Sequence, residues 1–185
     1  DVPVSGGPRK ARAGTLAIMV AGPEAAVAEV RDFLNTIGEN VFDVGSEAGL
    51  AQAMKLTNNM ISAACMAVSF ECLVFGAKAG LSPDKMVSVI NASTGRNAAL
   101  ADKVPASVLP GTFNYGARLA TMYKDVRLGL EEAENLNVPM WITQQVREMW
   151  RFGMTQGGAD ADFTSLIRYM EQWAGVEVRS DQGKQ

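Results

Sequence analysis

The feature that most limits how this chain can fold is a long run without a helix breaker, from Leu50 to Ala79. It contains no proline, and its first glycine is Gly76. The pattern predicts one continuous helix of about 30 residues, roughly 45 Å long. It should end at Gly80, because Ser82-Pro83 is a typical start for a new helix. A helix of this length must either be surrounded by other elements or cross a membrane.

The stretch from Met60 to Ala77 decides between these alternatives. About 18 apolar residues nearly span a bilayer, so composition alone permits a membrane helix. Glu71 would then lie in hydrocarbon, which is costly for an ionisable side chain. The small residues within the stretch instead permit close contacts between helices; they are Ala63, Ala64, Ala67 and Gly76. We therefore predict a buried helix in a globular protein, with no membrane partner.

The first 45 residues have a different pattern. Short β-branched runs at Val2–Val4, Leu16–Val20 and Val41–Val44 predict three strands, and Glu24–Ile37 predicts a helix before the third. One helix cannot cover both faces of such a sheet, so the region is expected to be the remainder of a larger α/β domain. The chain begins at Asp1 rather than Met and shows no secretory signal, so we expect a cut N-terminus.

The residues after the long helix predict an all-α domain. The predicted helices are Pro83–Asn91, Ala98–Lys103, Ala117–Leu136, Pro139–Phe152 and Phe163–Ala174, with Asp162 as the N-cap of the last. The predicted organisation is therefore an α/β remnant over residues 1–48 and an all-α domain over residues 49–178. A polar, disordered tail is expected over residues 179–185.

Composition excludes several kinds of function. The chain has no histidine, which removes Ser-His-Asp triads, Cys-His pairs and histidine metal sites, and we predict no metal. Its formal net charge is -3, with no basic tract, so nucleic-acid binding is not expected. Cys65 and Cys72 would lie roughly 10 Å apart along one helix, too far for a disulfide. We expect reduced core thiols and a cytoplasmic protein.

Lys55 is the most unusual of the remaining acid–base candidates. Its helical neighbours are mostly apolar or uncharged, and Asn59 lies four residues later on the same helical face. If that face lines a cleft, desolvation would lower the lysine pKa toward a value useful for proton transfer. The alternative is a lysine whose ammonium reaches solvent along its aliphatic stem.

Three other patterns could bind ligands, and each has an ordinary structural alternative. Ser5-Gly6-Gly7 follows a predicted strand, and its backbone N–H groups and hydroxyl could bind a carboxylate, although a simple turn has the same sequence. Lys124-Asp125 lies within a predicted helix and could equally be a solvated face. Phe113 could contact a cofactor or belong to the core.

In their order along the chain, these motifs resemble the β-hydroxyacid dehydrogenase family, which includes 3-hydroxyisobutyrate dehydrogenase and tartronate semialdehyde reductase. The motifs are Asp1-Val2-Pro3-Val4-Ser5-Gly6-Gly7, Ala13-Gly14-Thr15-Leu16, Met19-Val20-Ala21-Gly22, Gly45 to Gly49, Lys55-Leu56-Thr57-Asn58-Asn59 and Lys124-Asp125-Val126. The resemblance covers nearly all of residues 1–175. It implies a Rossmann domain joined through a long helix to an all-α domain like that of 6-phosphogluconate dehydrogenase.

The resemblance also implies a role for each candidate. Lys55 matches the catalytic lysine, and Asn59 matches a residue that contacts substrate and positions the lysine. The motif of Ser5, Gly6 and Gly7 matches the one that holds the substrate carboxylate. Three residues match the cofactor side of the site: Lys124, Asp125 beside it, and Phe113 near the nicotinamide.

The implied activity is hydride transfer between NAD or NADP and a short 3-hydroxyacid or its semialdehyde. The Gly-x-Gly-x-x-Gly fingerprint and the acidic residue that reads the ribose are absent from these 185 residues, so the cofactor stays NAD or NADP and these residues alone are expected to be inactive. The resemblance implies a homodimer or homotetramer, with the long helix at a subunit interface. The alternative is a non-catalytic dehydrogenase-like module kept for oligomerisation or binding.

Overall fold

A computed structural model describes residues 1–181 of the chain, which form two compact units. The first unit is Asp1–Asn59, and the second begins at Met60. Helix α3, Leu50–Lys78, runs through this boundary as one continuous helix. The predicted boundary between residues 48 and 49 lies at the start of α3, whereas the division by contacts falls inside the helix.

The first unit contains a small sheet and its covering helices. Its elements are β1 (Val4–Ser5), α1 (Gly7–Arg12), β2 (Ala17–Ala21), α2 (Glu24–Ile37), β3 (Asn40–Gly45) and the start of α3. The strand order is β1-β2-β3; β1 is antiparallel and β3 parallel to β2. Alternate β2 residues face opposite sides, so Ile18 packs with Val27 and Leu34 while Met19 packs with Ala51.

Helix α1 was not predicted from the sequence. Its first residues are Gly7 and Pro8, which are typical of a turn, and no side chain caps its N-terminus. Proline is nevertheless tolerated in the first turn of a helix, because the N–H that it lacks has no partner there. A six-residue helix has too few periodic positions to show an amphipathic pattern.

The second unit is all-α, as predicted. Its elements after α3 are α4 (Pro83–Asn91), a π-helix (Ala99–Val108), α5 (Leu119–Asn135), α6 (Trp141–Gly157), a 3₁₀ turn (Phe163–Leu166) and α7 (Ile167–Ala174). Its core contains Met66, Phe70, Leu73, Leu119, Trp150, Leu166 and Ile167. Asp162 is confirmed as an N-cap, because its carboxylate accepts a hydrogen bond from the Thr164 N–H.

Helix α3 is the one helix among the described residues that is long and apolar enough to cross a membrane. Within the second unit, however, its inner side lies in the core, with Ala63, Met66 and Phe70 fully buried. Gly129 of α5 lies so close to α3 that an added Cβ would stand 2.5 Å from the Met60 sulfur. Close contacts were predicted at the small residues of α3 itself, and Gly76 makes one, because a Cβ added there would overlap the Met86 sulfur of α4.

Two expectations about side chains differ from the structure. Cys65 and Cys72 are both free, but Cys72 is exposed and Cys65 is half-buried, so the prediction of two core thiols was wrong. Residue 72 falls on the outer side of α3, beside the exposed Glu71. A disordered tail was expected from residue 179, whereas Arg179 and Ser180 make specific hydrogen bonds. The remainder of that predicted tail, residues 182–185, lies outside the described residues.

Candidate active site

The Ser5-Gly6-Gly7 segment forms the corner between β1 and α1 in the first unit. Gly6 has φ 137 and Gly7 has φ 63, conformations that favour glycine. A Cβ on Gly6 would also stand 2.7 Å from Lys10 Cβ, so a larger residue does not fit. A Cβ added to Gly7 would have no other atom within 4 Å. The corner is therefore closed on the Gly6 side and open at Gly7.

Asn58 connects this corner to α3. Its amide nitrogen donates to Ser5 Oγ over 3.4 Å and to the Asn59 side-chain oxygen over 3.0 Å. Asn58 thus links Ser5 and Asn59, which were both predicted to contact substrate. No role was predicted for Asn58 itself. Asn58 belongs to the Lys55-Leu56-Thr57-Asn58-Asn59 motif. Its position three residues after Lys55, close to the same helical face, is the one sequence signal that could have identified it.

Lys55 lies in the second turn of α3, and Asn59 follows one turn later. Both side chains are half-buried, and neither is without an interaction partner. The helix observed here places them on a common face, as the spacing of four residues predicted. The catalytic role of Lys55 stays a prediction at this point.

Asp1 fixes the start of the helix that carries Lys55. Its carboxylate accepts hydrogen bonds from the backbone N–H groups of Gly49, over 3.1 Å, and Gln52, over 3.0 Å. These groups lie at the N-terminal end of α3, where backbone donors have no partner within the helix. This cap could not be predicted from the sequence, because its donors lie 48 and 51 residues further along the chain.

Lys124 and Asp125 form an ion pair on α5 in the second unit, with Nζ and Oδ1 3.0 Å apart. Asp125 is buried, whereas the Lys124 side chain is 57% exposed. The burial of Asp125 is therefore inconsistent with the alternative that Lys124-Asp125 lies on an entirely solvated helix face. Lys124 thus keeps more than half of its side chain in solvent while its ammonium pairs with a buried carboxylate.

Phe113 lies in the loop before α5 and borders a cleft of about 1260 Å³ within the second unit. Its φ of 48 is unusual for a residue other than glycine. The centre of its ring is 4.8 Å from the Arg179 guanidinium carbon and 5.3 Å from that of Arg168. Neither arginine was singled out from the sequence, since both lie far along the chain from Phe113.

Comparisons with known proteins match both units. Residues 1–45 match the family model described as the NAD binding domain of 6-phosphogluconate dehydrogenase. Residues 49–170 match the model described as NAD-binding of NADP-dependent 3-hydroxyisobutyrate dehydrogenase. The chain belongs to the 3-hydroxyisobutyrate dehydrogenase family. This confirms both the resemblance drawn from the motifs and the predicted fold class of a Rossmann remnant followed by an all-α domain.

Individual relatives agree with this family assignment. A 2-(hydroxymethyl)glutarate dehydrogenase from Eubacterium barkeri is 36% identical, with 98% of this chain and 60% of that protein covered. The 2-hydroxy-3-oxopropionate reductase of Escherichia coli (strain K12) is 32% identical, and the match covers 96% of this chain and 60% of that protein. A structure of 3-hydroxyisobutyrate dehydrogenase from Mycobacterium tuberculosis has a TM-score of 0.82 at 30% identity, covering 92% of this chain and 60% of that one. The chain thus spans about 60% of the length of these relatives.

Proposed function

We propose that this family member transfers a hydride between NAD or NADP and a short 3-hydroxyacid or its semialdehyde, with Lys55 as the general acid–base. Relatives named as a hydroxyacid dehydrogenase and a hydroxy-oxoacid reductase support this reaction class. One structural observation carries the assignment to residues. Lys55 and Asn59 are half-buried on one face of α3, and Asn59 is joined through Asn58 to Ser5 at the glycine corner.

The cofactor side of the site rests on Lys124, Asp125 and Phe113. The buried carboxylate of Asp125 fixes the lysine, while the exposed end of Lys124 offers a positive charge to an anionic cofactor. The Lys124 charge suits an anionic dinucleotide, whose nicotinamide supplies or accepts the hydride when bound. No Gly-x-Gly-x-x-Gly fingerprint occurs in the sequence, so the proposed cofactor is either NAD or NADP.

Ser5 and the glycine corner would bind the substrate carboxylate. A hydroxyl group accepts two hydrogen bonds and donates one. Asn58 donates to Ser5 Oγ, so the Ser5 proton stays available to a carboxylate oxygen. The N–H groups beside it at Gly6 and Gly7 are not covered by a side chain of their own. The corner therefore offers donors, as a carboxylate requires.

Lys55 would move a proton at the substrate oxygen. As an ammonium it donates that proton when the carbonyl is reduced, and as an amine it removes the hydroxyl proton during oxidation. Its positive charge also stabilises the negative charge that develops on oxygen. Asn59, one turn later, would hold the substrate or the lysine in position.

Replacing Lys55 tests this assignment. In the full-length protein with a complete dinucleotide-binding domain, Lys55→Ala should lower kcat/KM for a short 3-hydroxyacid by about 10²–10⁴-fold, the usual contribution of a positioned acid–base. Circular dichroism and the thermal midpoint should stay near those of the wild type. Lys85→Ala, which removes an exposed lysine from α4, is the matched control and should keep full activity.

Two outcomes would contradict the proposal. Unchanged turnover in Lys55→Ala would remove this lysine from the reaction. Absence of turnover in the wild type, with both nicotinamide cofactors and a panel of 3-hydroxyacids and semialdehydes, would favour the non-catalytic module instead.

We further propose that the protein is a homo-oligomer located in the cytoplasm. Ile61, Val68 and Phe75 are exposed on α3 at intervals of seven residues, which places them along one side of the helix. Apolar stripes of this kind are typical of protein interfaces. The free thiols Cys65 and Cys72 agree with a reducing compartment.

A further inference from the structure

The segment that follows α7 is held against the second unit by specific contacts. Val178 is fully buried, and its N–H donates to the Glu171 carboxylate over 2.9 Å. The Ser180 N–H donates to the Leu109 carbonyl over 2.9 Å, and the Ser180 hydroxyl donates to the Asp84 carboxylate. This segment consequently reaches the end of the π-helix, just before the loop that carries Phe113.

Arg179 lies at the centre of this segment and pairs with Glu171. Its Nη1 donates to Oε1 over 2.6 Å and its Nη2 donates to Oε2 over 3.0 Å, so each of the two nitrogens binds one carboxylate oxygen. The pair is shielded from water, with Glu171 5% and Arg179 21% exposed. Buried ion pairs add little stability compared with apolar residues of equal volume. The two-point pairing does, however, fix the plane of the guanidinium.

The oriented guanidinium lies against the loop of Phe113. Its carbon is 4.8 Å from the centre of the Phe113 ring, within the range of a cation–π contact. Arg179 Nε is also 3.1 Å from the point where a Cβ on Gly111 would stand. The backbone of the loop is held from the other end, because the N–H groups of Thr112 and Phe113 both donate to the Ser107 carbonyl over 3.1 Å.

We infer that Arg179, oriented by Glu171, is a positioning residue that holds the Phe113 ring in place for hydride transfer. The inference rests on the proposed function, in which Phe113 lies near the nicotinamide. The unfavourable φ of Phe113 persists only while surrounding contacts enforce it. Hydride transfer requires close alignment of donor and acceptor, so a looser Phe113 lowers the rate of the chemical step more than it weakens substrate binding.

The test compares three variants of the full-length enzyme. Arg179→Lys keeps the charge but loses the planar, two-point pairing with Glu171. Glu171→Gln combined with Arg179→Met removes both charges, while the side-chain amide oxygen at position 171 can still accept the hydrogen bond from the buried Val178 N–H, so the protein should stay folded. Arg118→Lys is the matched control, because Arg118 pairs with Asp160 on the exposed surface.

The expected result is a loss of kcat without a loss of stability. Arg179→Lys and the double variant should each lower kcat about tenfold, one RT ln 10 step in the barrier. Substrate KM should stay within about twofold, since the altered step is hydride transfer rather than binding. The deuterium isotope effect on kcat should rise, and Arg118→Lys should match the wild type. A wild-type kcat in the double variant would overturn the inference. So would a kcat that returns to the wild-type value whenever the thermal midpoint does, because the loss of kcat would then reflect stability and not positioning.

A second measurement separates this inference from the proposed function. Amide hydrogen exchange in a peptide covering residues 109–114 should be at least about tenfold faster in Arg179→Lys than in the wild type, because exchange reports local opening. This readout needs no turnover. Unchanged exchange would overturn the positioning role even in an active enzyme, whereas an inactive wild type with faster exchange in the variant would reject only the proposed reaction.

Discussion

Lys103, on the π-helix, is a half-buried cation that forms no hydrogen bond or salt bridge with another described residue. Its ammonium lies 5.9 Å from the centre of the Tyr115 ring. Burial lowers the pKa of Lys103 below its usual value, and the neighbouring Asp102 and Cys65 oppose that effect only in part. The charged form is therefore better accommodated in the unfolded chain than in the folded protein.

This shift predicts how stability depends on pH. At pH values below the pKa that Lys103 has in the folded protein, its positive charge destabilises the fold. This destabilisation disappears as the pH rises toward 10.5, the pKa of the lysine in the unfolded chain. Lys103→Met should raise the free energy of unfolding at pH 7 by up to about 1 kcal/mol and flatten its rise at alkaline pH. Urea unfolding at several pH values measures both effects. Lys85→Met is the exposed control, and identical pH profiles for wild type and Lys103→Met would contradict the prediction.

At the scale of single residues, sequence reasoning found the polar groups but not their partners. Lys55 and Asn59 were singled out by their spacing on one helical face, Ser5 by the two glycines that follow it, and all three by the family resemblance. Asn58 and Asp1 were missed because their hydrogen-bond partners lie about 50 residues away in sequence. Helical periodicity shows which residues share a face, but it does not show which distant segment that face meets.

Among the secondary-structure elements, those with strong end signals were predicted most accurately. The structure places α2 at Glu24–Ile37 and α4 at Pro83–Asn91, the bounds expected from the sequence. The π-helix was predicted to end at Lys103 but continues to Val108. Pro105 lacks an N–H and normally ends a regular helix, while the burial of Val104 and Val108 keeps this wider helix folded.

The cap at the start of the 3₁₀ turn gives a prediction about an element. Asp162 accepts hydrogen bonds from the N–H groups of Thr164, over 3.0 Å, and Gly116, over 2.8 Å. Asp162→Ala should lower the free energy of unfolding of the second unit by about 1–2 kcal/mol, the usual cost of losing such a cap.

The control for this change is two residues away. Asp160→Ala removes a carboxylate whose ion pair with Arg118 is exposed, so it should cost less than about 0.5 kcal/mol. Tryptophan fluorescence during urea unfolding reports on the second unit alone, since all three tryptophans lie there. Equal losses in the two variants would show that the Asp162 hydrogen bonds do not stabilise the unit.

For the molecule as a whole, the sequence was most informative about fold class and family. One long helix, a strand-rich start and an all-α remainder were sufficient for the architecture, and the ordered motifs identified the family. The attachment of the segment after α7 was not foreseen, because its polar composition is typical of a frayed end. Its order depends on the buried carboxylate of Glu171, whose partner Arg179 is recognisable only in the folded unit.

The proposed oligomer gives the last prediction. Val68 lies at the middle of the exposed stripe on α3 and is 52% exposed, so Val68→Glu would place a charge at the centre of the proposed interface. The variant should be folded but sediment as a smaller species than the wild type, with a dissociation constant raised at least about 100-fold. Val89→Glu is the matched control, because Val89 on α4 is 63% exposed and lies outside the stripe. Equal masses for wild type and Val68→Glu in analytical ultracentrifugation would exclude this face of α3 as the contact between subunits.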